Sequence, residues 1–407
     1  MIDQKKLSAE EYDPKGNYVP LLNEEPVRFD TNLELINHLF AGASNRGASD
    51  FSIMSESRLH VQISGRQYFG SKRIFNLSEV DMILSALWRS ADAAGIIKQG
   101  RPLDFAHEIV IDRKTRRRYR INATGINVGG SDGVEISVRS LPIKTPTMDS
   151  VALEHEIRDF LNPKNGVIII AGGTGHGKST TMAAITHAHL VNKDNPRKII
   201  DYQAPIEYTF RDVLDENLDS PSFIAQSEIG EGRNIPTFGK AIWASLRRAP
   251  HIINVGEARD YESMSGCLAA SVQGHIVNTT THAGSVAEAL RRIVNEFPPE
   301  EQVSRAYDLI TSLKVLIAQH LVPTPDLSGR FAIREFMVFT DDVRDRYISQ
   351  PVENWTKVTR DLFKEARTNT NIVAQSLDRS IEIKMQEGLL TEEMARTHLG
   401  SVFLGQN

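Results

Sequence analysis

GVIIIAGGTGHGKSTTMAAITHAHL (166–190) joins an apolar run to a glycine-rich turn and then to a run with helical composition. Gly172, four residues, then Gly177-Lys178-Ser179 match G-x-x-x-x-G-K-[ST] in the setting that motif needs, a buried strand before and a helix after. Glycines let backbone N–H groups curl around phosphate oxygens, and the helix N-terminus adds about half a positive charge. The residues Gly172, Gly173, Thr174, Gly175, His176, Gly177, Lys178, Ser179 and Thr180 form the expected phosphate cradle. Lys178 is expected on the β- and γ-phosphates, Ser179 on Mg²⁺ and Thr180 near the α-phosphate. ATP and Mg²⁺ are the expected cofactors.

Outward from this stretch the rhythm is strand, loop, helix. Strands are expected at 166–171, 197–202, 250–255 and 275–281, which implies a mostly parallel sheet covered on both faces. Upstream, Leu33–Phe40 fits one helix face, 46–53 and 59–65 read as strands, and 78–97 reads as a helix. Residues 107–128 read as a hairpin and 133–141 as a strand, a small α+β domain. The expected organisation is a flexible arm (1–28), an α+β domain (29–141), a proline-bearing linker (142–150), an α/β domain (151–350) and a helical C-terminal subdomain (351–407).

The 407 residues carry a net charge of −5, which disfavours a broad duplex-binding surface. One cysteine, Cys267 in an apolar stretch, excludes an internal disulfide and a multi-cysteine zinc site, and reads as a buried small hydrophobe. No apolar run approaches the ~20 residues that cross a bilayer, and the first residues have no apolar signal core. A cytoplasmic protein recruited to a membrane only through partners is expected.

Hydrolysis needs carboxylates near the metal and the attacking water. Glu257 ends the strand HIINVGE (251–257), at the carboxyl edge where such sheets bind ligands. Glu207 in APIEY (204–208) holds a similar place after the preceding strand. His275 and His282 flank the strand GHIVNTTTH (274–282), and an odd separation puts them on opposite faces, against joint metal ligation. The run RKTRRRYR (113–120) reads at its tip as a solvated turn, but Arg118, Arg120 and Asn122 share one strand face. Arg139 and Arg247 join them as candidate phosphate-facing arginines.

Together these segments resemble the ATPases of type II and type IV secretion and of type IV pili, the PilT-, GspE- and VirB-type group. GGTGHGKST (172–180) is similar to its Walker A box, APIEY to the end of its aspartate box, SLRRAPHIINVGEARD (245–260) to its Walker B segment, and QGHIVNTTTHAGSVAEALRRI (273–293) to its histidine box. GASDFSI (47–53) and RYRINA (118–123) look like its PAS-like N-terminal domain. The resemblance implies a PAS-like α+β domain followed by a RecA-like P-loop domain, assembled as a homohexamer. It implies Glu207 as catalytic base, Glu257 assisting Mg²⁺ through water, and His275 and His282 linking the γ-phosphate to subunit contacts. It also implies that Arg118, Arg120 and Arg139 reach the nucleotide. Two departures stand out: Gln203-Ala204 replace the box's first two acids, and Asn254 is polar where the family favours an apolar residue. The Ala-Pro-Ile-Glu form, the leader arm and REFMVFTDDVRDRY (334–347) are most similar to the type IVB branch, the DotB-like and conjugative TraJ-like ATPases.

The function this implies is a motor at the cytoplasmic base of a secretion or conjugation machine, working with other secretion ATPases and inner-membrane subunits. No sequence-specific nucleic-acid binding is expected. The alternatives are a pilus retraction ATPase, a nucleic-acid translocase or helicase, and a nucleotide-gated scaffold that does not hydrolyse.

Overall fold

The structure is a computed structural model that describes residues 17–22, 25–26, 28–63, 66–111, 116–325 and 329–404. Most of the expected arm, and Arg113 and Lys114 of the basic run, lie outside the described residues. The chain divides into two compact units, Met1–Ile143 and Lys144–Asn407. The division falls within the stretch 142–150.

The first unit runs α1 (Leu33–Asn45), β1 (Ala48–Met54), β2 (His60–Ile63), β3 (Arg66–Phe69), α2 (Leu77–Trp88), α3 (Ala93–Lys98), β4 (Leu103–Val110), β5 (Arg116–Val128) and β6 (Ser131–Ser140). The strands form one sheet, β3-β2-β1-β6-β5-β4, with antiparallel neighbours. Asn32 and Asn76 cap α1 and α2 by accepting from backbone N–H groups, each satisfying one donor that the first helical turn leaves open. The expected single helix over 78–97 breaks at Arg89, which turns left-handed at φ +60°. Val19 and Leu21, within the stretch read as an arm, are buried in this unit's core beside Phe40 and Phe75. Two apolar residues among prolines are too few for a periodic signal, but they gain burial against a preformed sheet.

The outward face of β5 carries the arginines. Tyr119, Ile121 and Ala123 point into the core, and Arg118, Arg120 and Asn122 point away. Arg120 makes a two-point contact with Asp104 on β4, Nε to Oδ1 at 3.1 Å and Nη2 to Oδ2 at 2.6 Å. Arg139 Nε donates to Asp50 Oδ1 at 2.7 Å, and Arg118 Nε lies 3.7 Å from Glu108 Oε2.

The second unit begins with α4 (His155–Arg158), β7 (Gly166–Ala171), α5 (Lys178–Val191), β8 (Lys198–Gln203), α6 (Arg211–Glu216) and β9 (Phe223–Glu228). It continues through α7 (Phe238–Ser245), β10 (Ile252–Val255), α8 (Tyr261–Val272), β11 (Ile276–Thr281), α9 (Val286–Asn295), α10 (Gln302–Ser312), β12 (Leu313–Pro323) and β13 (Arg330–Val338). It ends with α11 (Asp341–Ile348), α12 (Trp355–Ala366), β14 (Ala374–Gln375), α13 (Leu377–Gln386) and α14 (Glu392–Leu404). The sheet order is β14-β13-β12-β7-β11-β10-β8-β9, parallel from β12 to β9 and antiparallel at β13 and β14.

Alternation along β7 explains the two cores. Val167, Ile169 and Ala171 pack with α7, α8 and α9, and Ile168 and Ile170 pack with Met182 and Ile185 of α5. A strand buried on both faces reads as an unbroken apolar run, which is why β7 is visible in the sequence. Cys267 is fully buried and its thiol is pushed up to about 12 by that burial. The C-terminal segment is mostly helical as expected, but β14 ties it into the main sheet.

Glu335 on β13 is buried, and its Oε1 accepts from Val286 N, at the start of α9, at 2.7 Å. Burial raises its carboxyl from 4.5 to about 7 against the backbone hydrogen bonds. The unfolded chain therefore loses this proton first as pH rises, so stability falls from pH 4.5 through 7. The shift corresponds to on the order of 3 kcal/mol. The melting temperature should drop across about pH 5–8, and Glu335→Gln should flatten that slope in a thermal-shift series. An unchanged slope in the variant would refute the assignment.

Candidate phosphate-binding site

The loop between β7 and α5 closes over its own lysine. Gly177 takes φ +76° immediately before Lys178, and the first turn of α5 has no side-chain cap, so its N–H groups face the loop. Lys178 Nζ donates to Gly172 O at 2.9 Å and Gly173 O at 3.0 Å. Burial pulls the ammonium's pKa down, and the charges of Glu257 and Glu207 oppose that shift. Both candidate acids therefore act on the cradle lysine.

Three side chains from the β12–β13 edge brace the loop. Gln319 Nε2 donates to His176 O at 2.5 Å, and its Oε1 accepts from Thr181 Oγ1 at 2.8 Å. Arg330 Nη1 donates to Gly175 O at 3.3 Å. The His320 ring meets His176 edge to face at 5.4 Å. Thr180 Oγ1 lies 3.1 Å from the Tyr208 hydroxyl. Beside the loop is a cavity of about 440 Å³ lined by Val151, Thr180, Leu321, Phe331, Arg330 and Leu389.

Glu257 follows β10 at the carboxyl edge, with His282 Nε2 3.3 Å from its Oε1 and Arg259 Nη1 3.9 Å from its Oε2. Glu207 lines a small cleft with Ser179, Gln203 and Asn254. These are hard oxygen donors. Among the described residues no three His, Cys, Asp or Glu side chains could by themselves hold a metal. That sparse set suits Mg²⁺, which keeps several waters and is held by one or two protein oxygens together with phosphates.

The sheet separates other candidates from this cluster. His275 precedes β11 at its amino edge, where its Nδ1 lies 2.8 Å from Pro250 O and its carbonyl accepts from Gly166 N. The six residues of β11, about 20 Å of extended chain, separate it from His282, so of the two only His282 sits at the carboxyl edge. Arg247 lies in the exposed turn before β10, also at the amino edge. Arg118, Arg120 and Arg139 belong to the first unit.

Asp201 and Gln319 lie outside the four motif segments, and Asn254 and Asn278 lie inside them without an assigned role. Asp201, Asn254 and Asn278 are fully buried and adjacent across β8, β10 and β11. Asn278 Nδ2 donates to Asn254 Oδ1 at 2.9 Å, and Asn254 Nδ2 donates to Thr186 Oγ1 on α5 at 2.9 Å. Burial raises the Asp201 carboxyl, and hydrogen bonds from Gln226, Gln203 and Asn254 counter it. The signal was present: Ile-Ile-Asp (199–201), Ile-Ile-Asn (252–254) and Ile-Val-Asn (276–278) place a polar residue third in each apolar run. Gln319 interrupts the apolar run of β12 in the same way.

The model of the family described as "Type II/IV secretion system protein" matches residues 34–383. The chain belongs to that family. It is 29% identical over 311 residues to the type IV pilus ATPase PilU of Pseudomonas aeruginosa, covering 75% of this chain and 76% of that one. It is similar to the crystal structure of the ATPase DotB of Legionella pneumophila, with TM-score 0.82, 30% identity, and 95% and 99% of the two chains covered. The ADP-bound pilus retraction motor PilT gives TM-score 0.72 at 26% identity, covering 90% of this chain and 96% of that chain. The family places ATP binding and hydrolysis in this chain, as a secretion-system ATPase motor. The PAS-like and RecA-like layout expected from the sequence is the observed one.

Proposed function

We propose that this chain hydrolyses Mg·ATP as a homohexameric motor at the cytoplasmic base of a type IVB secretion or I-type conjugation machine. The observation that carries the reading is the placement of both acids at the carboxyl edge of the sheet beside the β7–α5 loop, Glu207 in the cleft with Ser179 and Glu257 just after β10 next to His282. Ser179 and Glu257 hold Mg²⁺, partly through water, and the bound ion supplies charge neutralisation at the phosphates. Glu207 positions and deprotonates the attacking water. His282, beside Glu257, senses the γ-phosphate. The nucleoside occupies the cavity behind Thr180, against Leu321 and Phe331.

His275 and Arg247, at the opposite edge, serve a neighbouring subunit, as do Arg118, Arg120 and Arg139 of the N-terminal domain. The protein is recruited peripherally through other secretion ATPases and inner-membrane subunits. Among the described residues no helix is long and apolar enough to cross a membrane. The similarity to DotB over 95% of the chain favours the type IVB branch over pilus retraction.

The test is a Lys178→Ala allele scored in cells for plasmid transfer, protein secretion and twitching together. Loss of transfer or secretion with intact twitching supports the proposal. Loss of twitching alone moves the chain to retraction, and no loss sinks the motor reading.

Arg120→Ala should lower turnover more than stability. Its pair with Asp104 is 40% exposed on both sides, and such pairs stabilise by about 0–1 kcal/mol. An arginine completing a neighbour's site is worth far more, roughly a thousandfold in rate. Equal losses of melting temperature and turnover would remove Arg120 from the site.

A further inference from the structure

We propose that Asp201 is a positioning residue that turns Gln203 so that its side-chain oxygen faces the Mg²⁺–nucleotide site. The inference rests on the phosphate-binding reading above and concerns a side chain that the four motifs leave without a role.

Asp201 is 2% exposed in the middle of β8. A carboxylate there needs strong compensation, because burial disfavours charge. The compensation is a ring of amides. Gln226 Nε2 donates to Oδ2 at 2.7 Å and Gln203 Nε2 donates to Oδ1 at 2.7 Å, with Asn254 the paired residue on β10. Gln226 is itself held by donating to Tyr208 O at 2.8 Å. Asn254 is held by Asn278 and Thr186. The row crosses three central strands of a parallel sheet beneath α5, where apolar residues are the rule.

The consequence lies two residues along the strand. Gln203 is on the same face as Asp201 and nearer the carboxyl edge. A carboxylate accepts and an amide carbonyl cannot donate, so Asp201 selects one orientation of Gln203, nitrogen inward and oxygen outward. The oxygen lies over Gly256, the residue before Glu257: a Cβ added at Gly256 would be 2.7 Å from Gln203 Oε1. Gln203 also lines the cleft that holds Ser179 and Glu207. A neutral oxygen acceptor, fixed in direction, thus stands among the side chains that would hold the metal's waters. Without Asp201 the amide could turn its N–H groups toward those waters or the cation.

The test compares Asp201→Asn, Gln203→Met, Gln203→Glu and the double variant Asp201→Asn/Gln203→Glu in the full-length protein. Binding of a fluorescent ATP analogue is titrated in Mg²⁺ and in EDTA, beside melting temperature and kcat. Side chains that orient a metal's ligands are worth about 10–100-fold in affinity or activity. Asp201→Asn and Gln203→Met should therefore each lose about tenfold of the Mg²⁺-dependent gain in affinity and of kcat, with EDTA affinity unchanged. Gln203→Glu should lose at least as much, because it sets two carboxylates at hydrogen-bond distance. The double variant should recover, since the amide introduced at position 201 would donate to the new carboxylate at position 203 and leave its oxygens facing the site.

A melting-temperature loss with the Mg²⁺-dependent gain intact would make the row purely structural and overturn the proposal. An undamaged Gln203→Met, or a Gln203→Glu equal to wild type, would also overturn it. If Asp201→Asn does not fold, the two Gln203 variants decide. A wild-type chain that bound nucleotide without Mg²⁺ dependence or turnover would instead sink the hydrolase reading.

Discussion

Lys178→Ala is expected to leave a folded protein that hydrolyses ATP at a rate lower by roughly two to three orders of magnitude. The side chain contributes no core packing. Its ammonium is spent on Gly172 O and Gly173 O, two carbonyls of the loop it should serve. A phosphate group offers the ammonium a stronger, charge-assisted partner, so nucleotide binding would exchange these contacts for phosphate oxygens. The loop's other supports do not involve the lysine: Gln319 holds His176 O and Arg330 holds Gly175 O. The cradle should therefore keep its shape in the variant, and the melting temperature should change little. The check is steady-state phosphate release beside thermal unfolding with and without nucleotide. Hydrolysis persisting near the wild-type rate would mean that the phosphates bind elsewhere.

What the sequence showed follows from where apolar residues are forced together. Gly166–Ala171 is buried on both faces and reads as an unbroken apolar run that leads straight into the glycine-rich turn. Glu257 and Glu207 were legible because a strand's carboxyl end locates them without any tertiary knowledge. The long hairpin β12–β13 is not legible in the sequence, since an apolar run of that kind fits helix or strand equally by period. Its contribution, Gln319 and Arg330 bracing the loop, depends on which strand lies beside β7, and no local pattern states that neighbour. His275 and His282 show the converse. The resemblance grouped them, and one strand length of about 20 Å separates them within the chain. The polar row Asp201–Asn254–Asn278 was written as the third residue of three runs. It gained meaning only when parallel pairing set those positions side by side.

Glu207→Gln should abolish turnover while nucleotide still binds. Removing a general base costs roughly 10²–10⁴-fold in rate. The substitution keeps the side chain's size, and Glu207 lies in the turn after β8, outside the apolar clusters. The protein should therefore fold normally. The substitution removes only a charge that acts on Lys178 and leaves that lysine's hydrogen bonds to the loop in place, so ATP affinity should stay within about threefold of wild type, well under the cost of a lost charge-assisted hydrogen bond. Glu257→Gln should behave differently. Its carboxylate also meets His282 and Arg259, so its loss should weaken Mg²⁺-dependent binding along with turnover. Rapid-quench measurement of a single turnover, paired with fluorescent nucleotide titration, separates the two. If Glu207→Gln retained single-turnover hydrolysis and Glu257→Gln lost it without losing affinity, the base would be Glu257 and the roles would be exchanged.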